Sequence, residues 1–460
     1  MKSYAARPRT DRNHAPLLVT FRDDFRRRDH TPDMTVLTAI GDVGDVADTL
    51  LLPDATLRRS RLDLSEAALP PHLRPEASLS VLDITEFYGE TTGGIRTYLR
   101  EKTAYVEAHR DLRQVLVLPG PRDALTETDG VRCYRLQGPK VPRQAPYRFM
   151  LAMRTNRKIA VHERPDVIEV GSPGFVPWIV RLAARGLDIP AVAFFHSNFP
   201  RVFAPFPERA LGLRRVMSEL AWGYVRYLDQ HFAHTIVCSE FAANDLRAAG
   251  VDRVTRIPLG VDLEHFQLGR RARRREVRAM YGLPEGPLAA FVGRFAVEKE
   301  LGVLLSAWPE VYRRTGAILA LMGDGPMRAT LVAQADGAPW VRFLPYERDR
   351  EKLADLLAAL DLYVAPSSIE TFGLSALEAA ACGTAVLSAD QGGIAEQVTA
   401  SGGGAHFVAG APGSLAETAV SLLRSDLDSL GRRGRSYAEQ DHSWTSVFDR
   451  IFALYRTVKH

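Results

Sequence analysis

From Leu79 onward the chain alternates short apolar runs with amphipathic stretches, in two successive series. The first series comprises Leu79–Ile84, Gln114–Leu118, Val131–Leu136, Val167–Val170, Ala191–Phe195 and Thr235–Val237. Amphipathic runs such as Ile95–Ala108 and Leu211–Leu228 separate its members. The second series comprises Leu288–Val292, Ala317–Met322, Val341–Leu344, Leu362–Ala365 and Ala385–Ser388. Runs this short and this apolar suit strands covered on both faces, and such strands are joined by crossover helices. Two βα series therefore predict an α/β protein with two parallel, doubly wound sheets. The Pro- and Arg-rich stretch between Pro258 and Pro287 reads as the linker, and the tail from Ser443 through Tyr455 as an amphipathic helix.

At 460 residues the chain is long enough for two or three domains, each with its own core. Apolar residues make up 46% and charged ones 25%, which excludes an intrinsically disordered chain. A formal charge of +4 is too small for a general attraction to polyanions. Arginine is clustered at Arg26–Arg28 and across Arg270–Arg275. Such runs read as solvated faces or as contacts to an anionic membrane. No apolar run reaches the roughly 18 residues that span a bilayer, and no apolar core backs the basic N-terminus, so neither an anchor nor a secretory signal is expected. Cys133, Cys238 and Cys382 share no metal-ligand spacing and predict reduced, buried thiols in the cytoplasm.

Chemistry concentrates where apolar runs end. After Leu362–Ala365 comes Ser367-Ser368-Ile369-Glu370-Thr371-Phe372-Gly373-Leu374, and then a helical run containing Glu378. A strand–loop–helix of this kind turns free N–H groups and a positive dipole end toward a docked anion, and a diphosphate suits it. Glu370 and Glu378 can then accept hydrogen bonds from hydroxyls on either side of the diphosphate. Arg294 and Lys299 follow Leu288–Val292 and can neutralise charge on a departing diphosphate. Gly93-Gly94 follows the first strand of the first series, where glycine lets the backbone approach a phosphate or sugar. His196 ends the run Ala191–Phe195, at the carboxyl edge where open α/β sheets bind ligands. Each pattern has a plain structural alternative: surface cations, a turn, a packed histidine.

Together these words resemble retaining GT-B glycosyltransferases, and glycosyltransferase family 4 in particular. Glu370 and Glu378 stand in that family's E-x7-E signature, and Val292-Gly293-Arg294 with Glu298-Lys299 is similar to its G-R-x4-K clamp. Met322-Gly323-Asp324-Gly325-Pro326 resembles its G-D-G-P turn. Pro258-Leu259-Gly260-Val261-Asp262 resembles its N-G-V-D element, with Leu259 where Asn is usual. The residues His196–Arg201 look most like the branch that glycosylates lipids, including phosphatidylinositol mannosyltransferases and sulfoquinovosyl transferases.

The resemblance implies two Rossmann-like domains facing a cleft: an acceptor-side domain over 78–268, a donor-binding domain over 285–440, and a helix over 441–460 bracing the first. It does not cover residues 1–77, which read as an accessory subdomain or an extension. It implies transfer of a mannose- or glucose-type hexose from a UDP- or GDP-sugar to a hydroxyl acceptor, a glycolipid or polysaccharide precursor among the candidates. Glu378 would take the ribose, Arg294 and Lys299 the diphosphate, and Glu370 with the Phe372, Gly373 and Leu374 amides the hexose. Gly94 would meet the donor's distal phosphate or the acceptor, and His196 the transferred sugar. The nucleotide-sugar is a co-substrate, no cofactor is expected, and the two cations fill the role of a divalent metal.

His231 and His234, spaced i,i+3, lack the further ligands of a metal site, and Asp426-Leu427-Asp428 falls in a helical pattern that reads as surface charge. Neither a Ser-His-Asp nor a Walker A pattern is present, and no partnership with nucleic acid is expected. The expected location is the cytoplasm, with peripheral contact at the inner membrane face. Three rival readings remain. A nucleotide-sugar epimerase would release altered donor without an acceptor. A non-catalytic nucleotide-sugar-binding subunit would bind donor without transfer. A nucleotide-sugar-binding scaffold would tether a membrane or protein through the N-terminal extension.

Overall fold

The computed structural model describes residues 56–58, 70–89, 93–142, 147–202 and 211–459. In chain order the strands of the first sheet are β1 (Thr56–Arg58), β2 (Leu79–Ile84), β3 (Leu112–Gly120), β4 (Ala124–Thr128), β5 (Val131–Gln137), β6 (Val167–Val170), β7 (Ala191–Phe194), β8 (His234–Val237) and β9 (Val254–Arg256). They lie in the order β1-β4-β5-β3-β2-β6-β7-β8-β9. The second sheet holds β10 (Leu288–Val292), β11 (Ile318–Met322), β12 (Val341–Leu344), β13 (Leu362–Ala365), β14 (Ala385–Ala389) and β15 (Gly404–Phe407), ordered β12-β11-β10-β13-β14-β15. Every pairing in the second sheet is parallel.

The strands explain themselves chemically. In β10, Leu288, Ala290 and Val292 enter one hydrophobic cluster and Ala289 and Phe291 the other, and all five are buried. A strand covered on both faces has no solvent side, so its residues read as one apolar run although they alternate in direction.

Both sheets reverse strand order at one point, between β2 and β6 in the first and between β10 and β13 in the second. A crevice opens there, because the loops leaving adjacent strands turn to opposite faces. Arg294 and Lys299 leave β10, Glu370 leaves β13, and Gly94 follows β2. The order of the strands thus gathers residues scattered along the chain.

The C-terminal helix, Trp444–Val458, lies on the first helix of the first domain, Gly94–Ala108. The Tyr105 ring stacks on Phe452 at 5.4 Å, and Tyr98 meets Phe448 at 5.6 Å. Beneath them Lys102 is fully buried, its Nζ donating to Asp83 at 2.5 Å, Glu169 at 3.1 Å and the Tyr455 hydroxyl at 2.9 Å. A buried ammonium tolerates such a place only when its N–H groups are taken up, and here the last helix supplies one of the acceptors.

Three sequence expectations need correction. The stretch between Pro258 and Pro287 is not a plain linker: Leu268–Arg273 forms a 3-10 turn and Arg274–Met280 a helix, both packed on the helix Arg350–Ala359 of the second domain. Four of its arginines are not a free cationic face either. Arg270 pairs with Glu351 and Asp355, Arg271 with Asp428, Arg273 with Glu276 and Asp355, and Arg274 with Asp361. Finally, residue 77 is not a clean boundary, because Thr56–Arg58 pairs antiparallel with β4 as an edge strand of the first sheet. The hairpin β4–β5 was missed although Asp129-Gly130 turns it, with Gly130 at φ 85°. The run Arg26–Arg28 lies outside the described residues.

Cys133, Cys238 and Cys382 are buried free thiols, and burial pushes the last two up. Asp426 caps its helix through Ser429 N–H at 2.9 Å rather than standing as idle surface charge. His231 bonds the Tyr227 carbonyl and His234 the Thr255 hydroxyl. No described helix is long and apolar enough to cross a membrane.

Candidate active site

The loop after β13 is held on two sides. Toward β10, Ser367 Oγ donates to the Glu298 carbonyl at 2.7 Å, and Ser368 Oγ and N–H donate to the Glu300 carboxylate at 2.6 and 3.1 Å. Toward the helix Gly393–Ser401, which follows β14, Gly393 N–H donates to the Glu370 carbonyl at 2.7 Å, and Gln397 donates to the Phe372 carbonyl. Gly373 caps the helix Leu374–Ala381 at φ 89°, and a Cβ there would stand 2.1 Å from Ile394. Only glycine fits. The helix begins with no side-chain cap, so its first N–H groups keep their capacity for an anion.

The Gly-Asp-Gly-Pro turn has a packing reason. Gly323 sits where a Cβ would come within 1.9 Å of the Gly293 carbonyl oxygen, and Phe295 N–H donates to the Asp324 carbonyl at 2.8 Å. The turn thereby supports the loop that carries Arg294.

Lys299 does not stand alone: its ammonium is paired with the Glu370 carboxylate. Burial works against its charge, but Glu370 raises the ammonium above the ordinary lysine range. Arg294 lies 4.0 Å from Glu298, with its guanidinium 5.3 Å from the Tyr147 ring of the first domain. Glu378 is buried, and its nearest cation is Arg350 at 3.6 Å. Burial pushes the Glu378 carboxyl up to about 7, against the pull of Arg350 and of Arg100 on the first helix.

From the first domain, Gly94 opens the helix Gly94–Ala108, and a Cβ on it would touch Leu374 at 4.0 Å. His196 follows β7, with its ring stacked on Phe194 at 3.9 Å and edge-on to Tyr98 at 5.2 Å. Its carbonyl accepts a hydrogen bond from Thr371 Oγ1 of the second domain at 2.7 Å. Burial, with the nearby Lys102 ammonium, pushes its imidazole down to about 3, so the ring is neutral at physiological pH.

The structure thus brings Gly94 to Leu374, His196 to Thr371 and Lys299 to Glu370, with Phe372 and Gly373 in the same loop and Arg294 and Glu378 on the second-domain side. Tyr147 and Arg350, which approach Arg294 and Glu378, carry no local mark in the sequence. Thr371 stands in the loop read from the sequence, but its bond to His196, 175 residues away, was not legible there. Among the described residues no three His, Cys, Asp or Glu side chains cluster as metal ligands.

Residues 92–265 match the model of Glycosyltransferase Family 4, and residues 286–425 that of Glycosyl transferases group 1. The chain is 31% identical over 339 residues to the GDP-mannose-dependent alpha-(1-6)-phosphatidylinositol dimannoside mannosyltransferase of Mycobacterium tuberculosis, covering 71% of this chain and 83% of the relative. It is also 31% identical over 320 residues to the sulfoquinovosyl transferase SQD2 of Arabidopsis thaliana, covering 67% and 59%. Sucrose-phosphate synthase from Thermosynechococcus elongatus superposes with a TM-score of 0.67 at 21% identity, over 83% of this chain and 99% of the other. Anabaena HepE, solved with UDP and glucose, gives 0.64 at 16% identity over 82% and 100%.

Two α/β domains, each on a doubly wound sheet with one strand-order reversal, give the chain the GT-B fold. The chain belongs to glycosyltransferase family 4 and is a hexosyltransferase, moving a hexosyl group from a nucleotide-sugar to an acceptor.

Proposed function

We propose that the protein transfers mannose from GDP-mannose, with retention at the anomeric carbon, to a hydroxyl of a phosphoinositide-type glycolipid. The match to the mannosyltransferase over most of that relative's length carries the reading. Arg294 and Lys299 receive the diphosphate at the reversal between β10 and β13. Charge growing on the leaving group is met by cations already oriented, which is where electrostatic catalysis is most effective. Lys299 exchanges part of its pairing with Glu370 for phosphate oxygens, and Glu370 with the amides of Phe372 to Leu374 takes the hexose hydroxyls. A neutral His196 serves as a hydrogen-bond partner for the transferred sugar from the opposite wall. The departing phosphate oxygen takes the acceptor's proton, so the protein needs no separate base, and the two cations fill the place of a metal. Closure of the cleft excludes water that would hydrolyse the activated sugar.

The acceptor reading brings the protein to the inner membrane face, but Arg270, Arg271, Arg273 and Arg274 do not carry it there, since their charge is engaged in ion pairs. A mass-spectrometric screen of GDP- and UDP-sugars against mannosylated phosphatidylinositol in vesicles and against soluble glycans tests the reading. Mannosylated lipid formed from GDP-mannose is the expected product. Transfer from UDP-sugars to soluble glycans alone overturns it, as does epimerised donor released without acceptor.

Glu378 adds a pH signature. Its carboxyl is raised to about 7, so it binds a proton just where a ribose hydroxyl would need a carboxylate acceptor. Nucleotide binding favours the ionised form, so affinity rises as pH climbs through about 7 and levels off above it. Calorimetry with GDP between pH 6 and 8 should give a several-fold fall in Kd with proton release. Glu378→Gln should remove that protein contribution and leave only the phosphate's own titration. An identical profile in both proteins refutes the role.

A further inference from the structure

We propose that Thr371 is a positioning residue that locks the two walls of the site in register, so that Glu370 and His196 address the same sugar. The inference rests on the roles proposed above for those two residues. Thr371 immediately follows Glu370, is buried, and donates its hydroxyl to the His196 carbonyl at 2.7 Å, across 175 residues of sequence. Neither end of that bond has slack. On the first-domain side, His196 N–H donates back to the Phe194 carbonyl at 3.0 Å, while the His196 ring stacks on Phe194 with planes 4° apart. The backbone that Thr371 grips is therefore the backbone that aims the imidazole. On the second-domain side, the carbonyls flanking Thr371 are taken by Gly393 N–H and Gln397.

A second tie runs from the same helix, Gly393–Ser401. Its Glu396 carboxylate accepts from Glu240 N–H at 2.9 Å and from Phe241 N–H, at the N-terminus of the first-domain helix Glu240–Ala248. One short helix thus holds the Glu370 loop through Gly393 and Gln397 and the opposite domain through Glu396, which lies between them. A buried hydroxyl bonded to a fixed carbonyl transmits position more than it adds stability, and small misplacements at a reacting centre cost rate strongly.

Thr371→Val keeps the shape and removes the donor, whereas Thr371→Ser keeps the donor. We expect the valine variant to lose about tenfold or more in kcat with GDP and UDP dissociation constants within about twofold of the parent. The serine variant should recover most of the rate. Hydrogen exchange of the segment 194–198 should rise in the valine variant and not in the serine one. A valine variant with parental kcat overturns the proposal, and so does a serine variant as slow as valine, which would assign the effect to the methyl group. If no donor supports transfer by the parent enzyme, the functional reading fails separately. In that case unchanged exchange at 194–198 in the valine variant refutes the tie itself, and increased exchange supports it.

Discussion

Arg294→Ala is expected to lower kcat for hexosyl transfer about a hundredfold or more while shifting the donor KM only slightly, as removal of one preorganised electrostatic contact typically does. Arg294 leaves β10 at the strand-order reversal, and its guanidinium is largely screened from solvent between Glu298 and the Tyr147 ring. A cation so held contributes most when charge accumulates in the transition state, because it needs no reorganisation at that moment. Lys299→Ala is a poorer probe. Lys299 is paired with Glu370, so its removal leaves a carboxylate in the cleft without its counter-ion and disturbs two roles at once. The measurement is steady-state kinetics with the donor found in the screen. An alanine variant with unchanged kcat and only a raised donor KM would place Arg294 in ground-state binding instead.

The second large effect separates the two glutamates. Glu378→Ala should weaken binding of free GDP by about 1–3 kcal/mol, the usual cost of a lost buried hydroxyl contact. Glu370→Ala should leave GDP affinity nearly intact and impair transfer by about a hundredfold or more. The division follows from position. Glu378 faces Arg350 from inside the helix Leu374–Ala381, whereas Glu370 lies in the loop before it, against Lys299 and beside the Thr371 contact to His196. Calorimetry of both variants decides the matter, and equal losses of GDP affinity would refute the division.

The strand–loop–helix carrying Glu370 and Glu378 was legible because a buried parallel strand, a glycine N-cap and an apolar helix each leave a local mark. Leu362–Ala365 and Leu288–Val292 coincide with β13 and β10 for that reason. β9 and β15 were not read: the first is three residues with little burial, and the second begins at Gly404 and is only partly buried. The pairing of Arg270, Arg271, Arg273 and Arg274 was not legible because charge alone says nothing about partners. Asp355, Asp361 and Asp428, which neutralise them, come from other parts of the chain.

The sequence by itself determined the two βα series, the loops at their strand ends and the family to which the protein belongs, since each is encoded by neighbours within a few residues. Tertiary structure alone decided which of those loops meet. The pairing of Lys299 with Glu370, the approach of Gly94 to Leu374 and the bond from Thr371 to His196 join residues 71 to 280 positions apart. Their geometry depends on strand order and on the direction each side chain takes from its sheet. Neither quantity is a property of any short stretch of chain.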